Sequence, residues 1–434
     1  MELFFLILLI VLMAGALGSG YPVAFALPGA SIITLVLAGL TGYLITGDQG
    51  AYFSQGDAWT WLSSGNANLR GTYWVPERDT LIAIPLFIFM GIMLQRSKIA
   101  EDLLLTMANL FGPVRGGLGV SVVFVGALLA ATTGIVGATV VAMGLISLPA
   151  MLRNNYSQSL ATGTIAASGT LGQIIPPSIV LIILADQLAS AADQGSSIRK
   201  ALHKETTGEL SMPSTFDVTS TSAGEMFLGA FIPGLVLVCL YIIYILVFAF
   251  LKPSAAPSVP YKGKYDRAFA NKVFLSLVPP LFLIFIVLGS IMSGIATVNQ
   301  AGAIGAAGAL IMAGYRLTDG QKGCYYPAIL CLVSLLAVGL ILSNFDTNIK
   351  GIETGRDQLG VLLAIIATIG LLGSLIWSGY RAFKIEDTLN GVMMETAKAT
   401  ALVFIILLGA AILTAAFRAF GGEHLVKEFL DGLA

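Results

Sequence analysis

Residues 167–187 read ASGTLGQIIPPSIVLIILADQ. The stretch is apolar enough for a membrane helix, yet Pro176 and Pro177 stand in its middle, just after Ser168, Gly169, Thr170, Gly172 and Gln173. Each proline removes a backbone donor and clashes with the preceding turn, at a cost of about 3 kcal/mol or more. In hydrocarbon, the carbonyls they free have no water to turn to. A helix broken here, beside small hydroxyl residues, exposes backbone that a ligand can use.

The rest of the chain sets the same context. Of its 434 residues 56% are hydrophobic and 11% charged, with a mean hydropathy of +0.88. Soluble domains carry roughly 25% charged residues. Apolar runs recur at 3–19, 22–45, 80–95, 160–187, 226–251, 273–293, 296–315, 324–343, 359–379 and 391–415. Each approaches what ~30 Å of hydrocarbon requires. The composition predicts an all-α polytopic membrane protein in contact with lipid. A net charge of −1 gives no footprint for nucleic acid. Cys239, Cys324 and Cys331 lie in or beside apolar segments without metal-ligand spacing. The N-terminal run has Glu2 in place of a basic flank, so it reads as a span rather than a cleaved signal.

The stretch 118–150 is apolar throughout, but its centre is ATTGIVGAT, residues 131–139. Arg115 precedes it and Arg153 follows it. A re-entrant hairpin with its tip at Thr132–Thr139 keeps both arginines on one face of the membrane. With the N-terminus outside, the inside segments then hold 14 of the 23 Lys and Arg, as the positive-inside rule requires. The clearest is 252–272, with Lys252, Lys262, Lys264, Arg267 and Lys272 against Asp266. The polar stretches 46–79 and 188–224 read as outside loops, and Trp59, Trp61 and Trp74 as interfacial anchors.

An internal repeat is also visible. GYPVAFALPGASIITLVLAGL from Gly20 resembles GIATVNQAGAIGAAGALIMAG from Gly294. Each is a tight turn between closely spaced spans, followed by an Ala/Gly-rich helix. The charge-based topology inserts the two units in opposite directions, as in inverted-repeat secondary transporters.

Ionisable groups are scarce at membrane depth. Asp186, Glu225 and Arg418 sit at span ends, and His203 and His424 in polar segments. A proton carrier or intramembrane protease normally buries such groups, and the chain has no phosphate-binding G-x-x-x-x-G-K-[ST]. What remains is broken-helix chemistry, in which opened carbonyls coordinate a hard cation and helix N-termini face an anion. The expected substrate and cation site comprises Thr132, Thr133, Gly134, Gly137 and Thr139 at the tip. At the break it comprises Ser168, Thr170, Gly172, Gln173, Pro176, Pro177 and Ser178. Na+, as coupling ion and with no further cofactor, is expected at Thr133, Gly134, Thr170 and Pro176. The plainer alternative is a kink repaired by Ser and Thr side chains. Gly134-x-x-Gly137 and Gly302-x-x-Gly305 read first as packing surfaces.

IPLFIFMGIMLQRSKIAEDLL (84–104), GIVGATVVAMGLISLPAML (134–152), the Pro-Pro stretch, GEMFLGAFIPGLVL (224–237) and GIATVNQAGAIGA (294–306) together resemble the large membrane subunit, DctM-like, of tripartite ATP-independent periplasmic (TRAP) transporters. The resemblance covers about residues 1–45, 76–187, 223–315 and 391–434. It implies Na+-coupled uptake of organic acids across the bacterial inner membrane by an elevator-type mechanism. The implied partners are a periplasmic substrate-binding protein and a small membrane subunit.

It also implies an organisation. Residues 1–187 form a first repeat with the hairpin 118–150 and the broken helix 160–187. A polar periplasmic loop 188–224, a linking transmembrane helix 225–251 and a basic cytoplasmic loop 252–272 follow. Residues 273–434 form a second, inverted repeat carrying inserted spans at 324–379. Three places depart from the family pattern. Thr139 stands where the hairpin tip usually has Asp, and the turn at 294–300 lacks its usual Pro and Glu. After the 391–415 span a second hairpin and Pro-Pro helix are expected, and GGEHLVKEFLDGLA stands there instead, so the second repeat reads as truncated. Two other readings stay open: a carboxylate carrier that needs no binding protein, and a non-transporting assembly fragment completed by a second polypeptide.

Overall fold

Helix is what this composition dictates, because a helix satisfies its own backbone where water is excluded. The computed structural model describes residues 2–73, 79–133, 136–208, 221–259, 261, 263, 265–345 and 355–433, and every regular element among them is helical. They fall into two units.

The first unit comprises residues 1–79 and 397–434. It contains α1 (Glu2–Gly18), α2 (Val23–Thr46), α3 (Ala58–Tyr73), most of α15 (Thr388–Ala419) and α16 (Gly422–Asp431). Its core is aromatic. Phe420 stacks between Phe5 and Phe53, with ring centroids 5.8 and 5.6 Å away. Such offset pairs add about 0.5–1.5 kcal/mol beyond their burial. The Ser54 N–H donates to the Ala419 carbonyl at 2.9 Å, tying the loop after α2 to the end of α15.

The second unit, residues 80–396, carries the Pro-Pro stretch. It contains α4 (Asp79–Arg96), α5 (Ile99–Phe111), α6 (Gly117–Thr133), α7 (Val136–Arg153), α8 (Gln158–Thr170), a 3-10 turn (Leu171–Gln173) and α9 (Ile179–Thr207). Then come α10 (Ala223–Leu251), α11 (Arg267–Met292), α12 (Val298–Arg316), α13 (Tyr326–Asn344), α14 (Gly355–Lys384) and the start of α15. Helix starts are capped by side chains that the sequence supplies locally. Ser222 with Glu225, and Thr297 with Gln300, form capping boxes, and Asp266 accepts from the Phe269 N–H. Gln300 thus does the capping work of a glutamate at the altered turn. Gly302 and Gly305 are packing positions: a Cβ at 302 would lie 3.1 Å from Leu86 Cβ, and one at 305 only 2.5 Å from Met90 Sδ.

Among the described residues, six helices are long and apolar enough to cross a membrane: α2, α10, α11, α13, α14 and α15. A seventh crossing is available if α4 and α5, bent by 61° at Ser97–Lys98, count as one. The ten expected spans are therefore not all of one kind. α1 has only 17 residues, α12 is not among the six, and 160–187 is interrupted.

Several expected boundaries need correction. Residues 188–207, read as loop because they are polar, continue α9 without a break. Ala, Leu, Lys and Gln favour helix whatever their polarity, and Gly208 stops it with a left-handed φ of 74°. Within 46–79, residues 58–73 form α3. The basic segment 252–272 is helical from Arg267 onward.

The two repeat turns share one local structure. The Gly20 N–H donates to the Leu17 carbonyl and the Tyr21 N–H to that of Ala16. At the second turn Gly294 donates to Ile291 and Ile295 to Ser290, in the same register. Both are glycine-terminated helix ends, with φ of 80° at Gly20 and 69° at Gly294.

Candidate functional site: a broken helix beside a helical pair

The Pro-Pro stretch interrupts the helix as expected. α8 ends at Thr170, the 3-10 turn follows, and α9 starts only at Ile179. The N–H groups of Ile174 and Ile175 both turn back to the Leu171 carbonyl, at 3.0 and 2.9 Å. The Pro176–Pro177 peptide is cis. Ser178 spans the gap: its hydroxyl donates to the Gln173 carbonyl at 2.7 Å and accepts from the Leu181 N–H as N-cap of α9. One of the freed carbonyls is thus satisfied by a side chain.

The hydroxyls before the break differ. Ser168 is fully buried, donates to the Ile165 carbonyl at 3.0 Å and packs against Gly126 of α6. Thr170 is exposed and donates to the Ala167 carbonyl at 2.7 Å, which leaves its oxygen lone pairs free for a cation. Gly172, Pro176, Pro177 and Ser178 are buried and Gln173 is half-buried. Pro176 lines an apolar cavity of about 240 Å³ with Phe124, Phe231 and Ile284.

α7 brings the tip side of the pair to this break. A Cβ on Gly169 would press into Val140, 3.2 Å from its backbone nitrogen. Thr139, one residue earlier on α7, is buried. Gly137 is exposed, with open space around it. The side chains of Thr132 and Thr133, and all of Gly134, lie outside the described residues. Gly234 of α10 covers the break from another side, 3.2 Å from Ile175 Cγ1 to a Cβ placed there.

The far ends of the α6–α7 pair are tied together. The Gly116 N–H, just before α6, donates to the Ala256 carbonyl at 3.1 Å. The Ser157 N–H, just after α7, donates to the carbonyl of Ala255, the neighbouring residue, at 2.9 Å. The Val259 N–H adds a bond to the Gly112 carbonyl at 2.7 Å. Consecutive Cα atoms are ~3.8 Å apart. A straight helix from Gly116 to Ser157 would separate its ends by roughly 60 Å.

Among the described residues, no group of three or more His, Cys, Asp or Glu is placed to hold a metal ion. The nearest carboxylate along the chain is Asp186, two turns into α9. The hydroxyls and carbonyls described at the break are neutral oxygens.

A family model described as "Tripartite ATP-independent periplasmic transporter, DctM component" matches residues 6–202 and 211–330. The chain belongs to the DctM family. DctM proteins are membrane permeases of transporters, not enzymes. The chain is 32% identical over 240 residues to the C4-dicarboxylate TRAP transporter large permease DctM of Vibrio cholerae, covering 55% of this chain and 45% of that protein. With the Rhodobacter capsulatus DctM protein it shares 32% identity over 243 residues, 56% of this chain and 50% of the relative. The sialic acid TRAP large permease SiaM of Vibrio cholerae is 24% identical over 351 residues, 81% of this chain and 68% of the relative. The chain thus spans about half the length of the DctM relatives it matches. With six or seven helices among the described residues long and apolar enough to cross a membrane, this DctM-family chain is a multi-pass membrane protein.

Sequence reasoning missed the residues that hold this DctM site in shape. Gly126 and Gly234 are single glycines inside apolar helices, a weak local signal of close approach. Ala255 and Ala256 carry no signal at all, because their role rests on backbone groups.

Proposed function

We propose that this chain is the large permease subunit of a Na+-coupled TRAP transporter importing organic acids, dicarboxylates or related carboxylates, across the bacterial inner membrane. Its partners are a periplasmic substrate-binding protein and a small membrane subunit, and its N-terminus is periplasmic. Support comes from the family match and from relatives named for C4-dicarboxylate and sialic acid transport.

In this reading α6–α7 is a re-entrant pair, supported by the bonds from adjacent Ala255 and Ala256 to its two ends. The cation sits between the pair's tip and the break, at Thr133, Gly134, Thr170 and the carbonyl of Pro176. Thr132, Gly137, Thr139, Ser168, Gly172, Gln173, Pro177 and Ser178 complete the lining and its support. The matching turns at Gly20 and Gly294 support two repeats, which the charge distribution orients oppositely. An elevator-type movement then carries the site across the membrane. The observation that carries the reading is a helix break beside the start of α7, with no cluster of three or more His, Cys, Asp or Glu among the described residues. Neutral oxygens suit Na+, while a proton needs a titratable group.

A competing reading, an ordinary kink, is favoured by the Ser178 bond to the Gln173 carbonyl. Proteoliposomes containing the chain, its small subunit and any further permease segment decide between them. Uptake of a labelled C4-dicarboxylate should require both binding protein and a Na+ gradient. Uptake driven by a pH gradient alone overturns Na+ coupling, and uptake without binding protein favours an independent carrier.

A further inference from the structure

A second cavity, of about 550 Å³, lies away from the break, between the start of α5, the first half of α11 and the end of α12. Its size is in the range of small-molecule sites, ~300–1,000 Å³. Its lining is mixed. Asp102, Asn271, Lys272, Arg316 and Asp319 supply polar groups, while Leu275, Pro280 and Met312 supply apolar ones.

The charges are not equivalent. Arg316 donates to Asp102 from two nitrogens, Nη2 at 2.8 Å from Oδ1, and its Nη1 lies 3.7 Å from Asp319. The guanidinium is therefore neutralised within the cavity wall. Lys272 has no ion pair among the described residues, and the Asp319 side chain keeps 65% of its surface exposed. The cavity thus offers an ammonium with no ion pair among the described residues and a mostly exposed carboxylate, which also neighbours Arg316 and accepts from the Gly320 N–H at 3.0 Å, with Tyr325 among the lining residues.

Its depth is that of a membrane boundary. Lys272 and Asn271 lie in the first two turns of α11, at the end of the basic segment 252–272, and Arg316 is the last residue of α12. Leu275 lines the cavity and is itself 53% exposed, next to the exposed ring of Phe274. One rim of the cavity is therefore apolar and open to the surroundings of the protein.

We propose that this cavity binds the headgroup of a zwitterionic glycerophospholipid, one carrying a phosphate diester and a primary ammonium. Lys272 and the Tyr325 hydroxyl receive the phosphate, Asp319 receives the ammonium, and the acyl chains leave over Leu275 and Phe274. An anionic headgroup satisfies Lys272 but sets a second negative charge against Asp319. A free phosphate makes no use of the apolar rim.

The test uses the full chain, purified in detergent and stripped of lipid. Native mass spectrometry and thermal unfolding are followed with dioleoylphosphatidylethanolamine, dioleoylphosphatidylglycerol, and soluble glycerophosphoethanolamine as competitor. The ethanolamine lipid should bind preferentially and raise the unfolding temperature, because it binds the folded state. Lys272→Gln should weaken that binding by roughly tenfold or more, the loss of one charged hydrogen bond. Asp319→Asn should remove the preference over phosphatidylglycerol. Both side chains are exposed enough for the variants to fold. Unchanged binding in Lys272→Gln, a preference retained in Asp319→Asn, or a wild-type preference for phosphatidylglycerol would each overturn the proposal. Competition by the soluble headgroup at equal concentration would place the ligand in solution, overturning the lipid assignment.

Discussion

Gly126 of α6 leaves the space that Ser168 of α8 fills: a Cβ at position 126 would lie 2.7 Å from the Ser168 Cβ. The pair sets how closely α8 approaches α6 just before the break. Gly126→Ala should destabilise the protein by about 1–3 kcal/mol through overpacking. Ser168→Gly in the same chain should recover most of that loss, since it removes the clashing carbon. Thermal unfolding of the two single variants and the double variant measures the coupling. Strictly additive effects would show that the helices do not depend on this contact.

Arg115 and Arg153 flank the α6–α7 pair, and both are exposed. Cysteines at positions 115 and 153 should react with an impermeant thiol reagent from the same side of the membrane, the cytoplasmic one. The exposed native Cys239 should first be replaced by Ser, so that it adds no signal. Labelling from opposite sides would mean that α6 and α7 together cross the bilayer.

Ser178 and Thr170 separate structural repair from ion binding. Ser178→Ala removes the α9 cap and the bond to the Gln173 carbonyl, at a cost of about 0.5–2 kcal/mol. Thr170→Val removes an oxygen that is exposed and nearly preserves shape. It should raise the Na+ concentration for half-maximal uptake by roughly 5- to 150-fold, the range for one lost polar partner. Thr133→Val should act in the same direction. Replacing Pro176 and Pro177 by alanine should abolish coupling by letting α8 and α9 join. An unchanged Na+ dependence in all of these variants would leave the break as an ordinary kink.

Asp57 predicts an acid-sensitive helix start in the first unit. Its carboxylate accepts from the Thr60 hydroxyl at 2.6 Å and from the Thr60 N–H at 2.8 Å, which holds its pKa below the ordinary 3.8. A lowered folded pKa stabilises the protein above the unfolded value and loses that contribution as pH falls through the folded one. Asp57→Asn should therefore flatten the dependence of unfolding temperature on pH below about pH 4. The same slope in both proteins would assign the acid sensitivity to other carboxylates.

The break at Pro176–Pro177, the all-helical class and the family were legible in residues 167–187 and the motifs around them. These properties are local, or are averages over the whole chain. Proline removes a donor wherever it stands, and a span is apolar whatever it packs against. The capping boxes at Ser222 and Thr297 also lay open in the sequence, since cap and partner are three residues apart. Hydropathy misread 188–207, because it reports where a residue prefers to sit and not whether its backbone is helical. Only tertiary structure decided that Ala255 and Ala256 hold both ends of α6–α7, and that Gly126 makes room for Ser168. Those contacts join residues 42 to about 140 positions apart through backbone groups and missing side chains, neither of which varies with residue type in a way a single sequence displays.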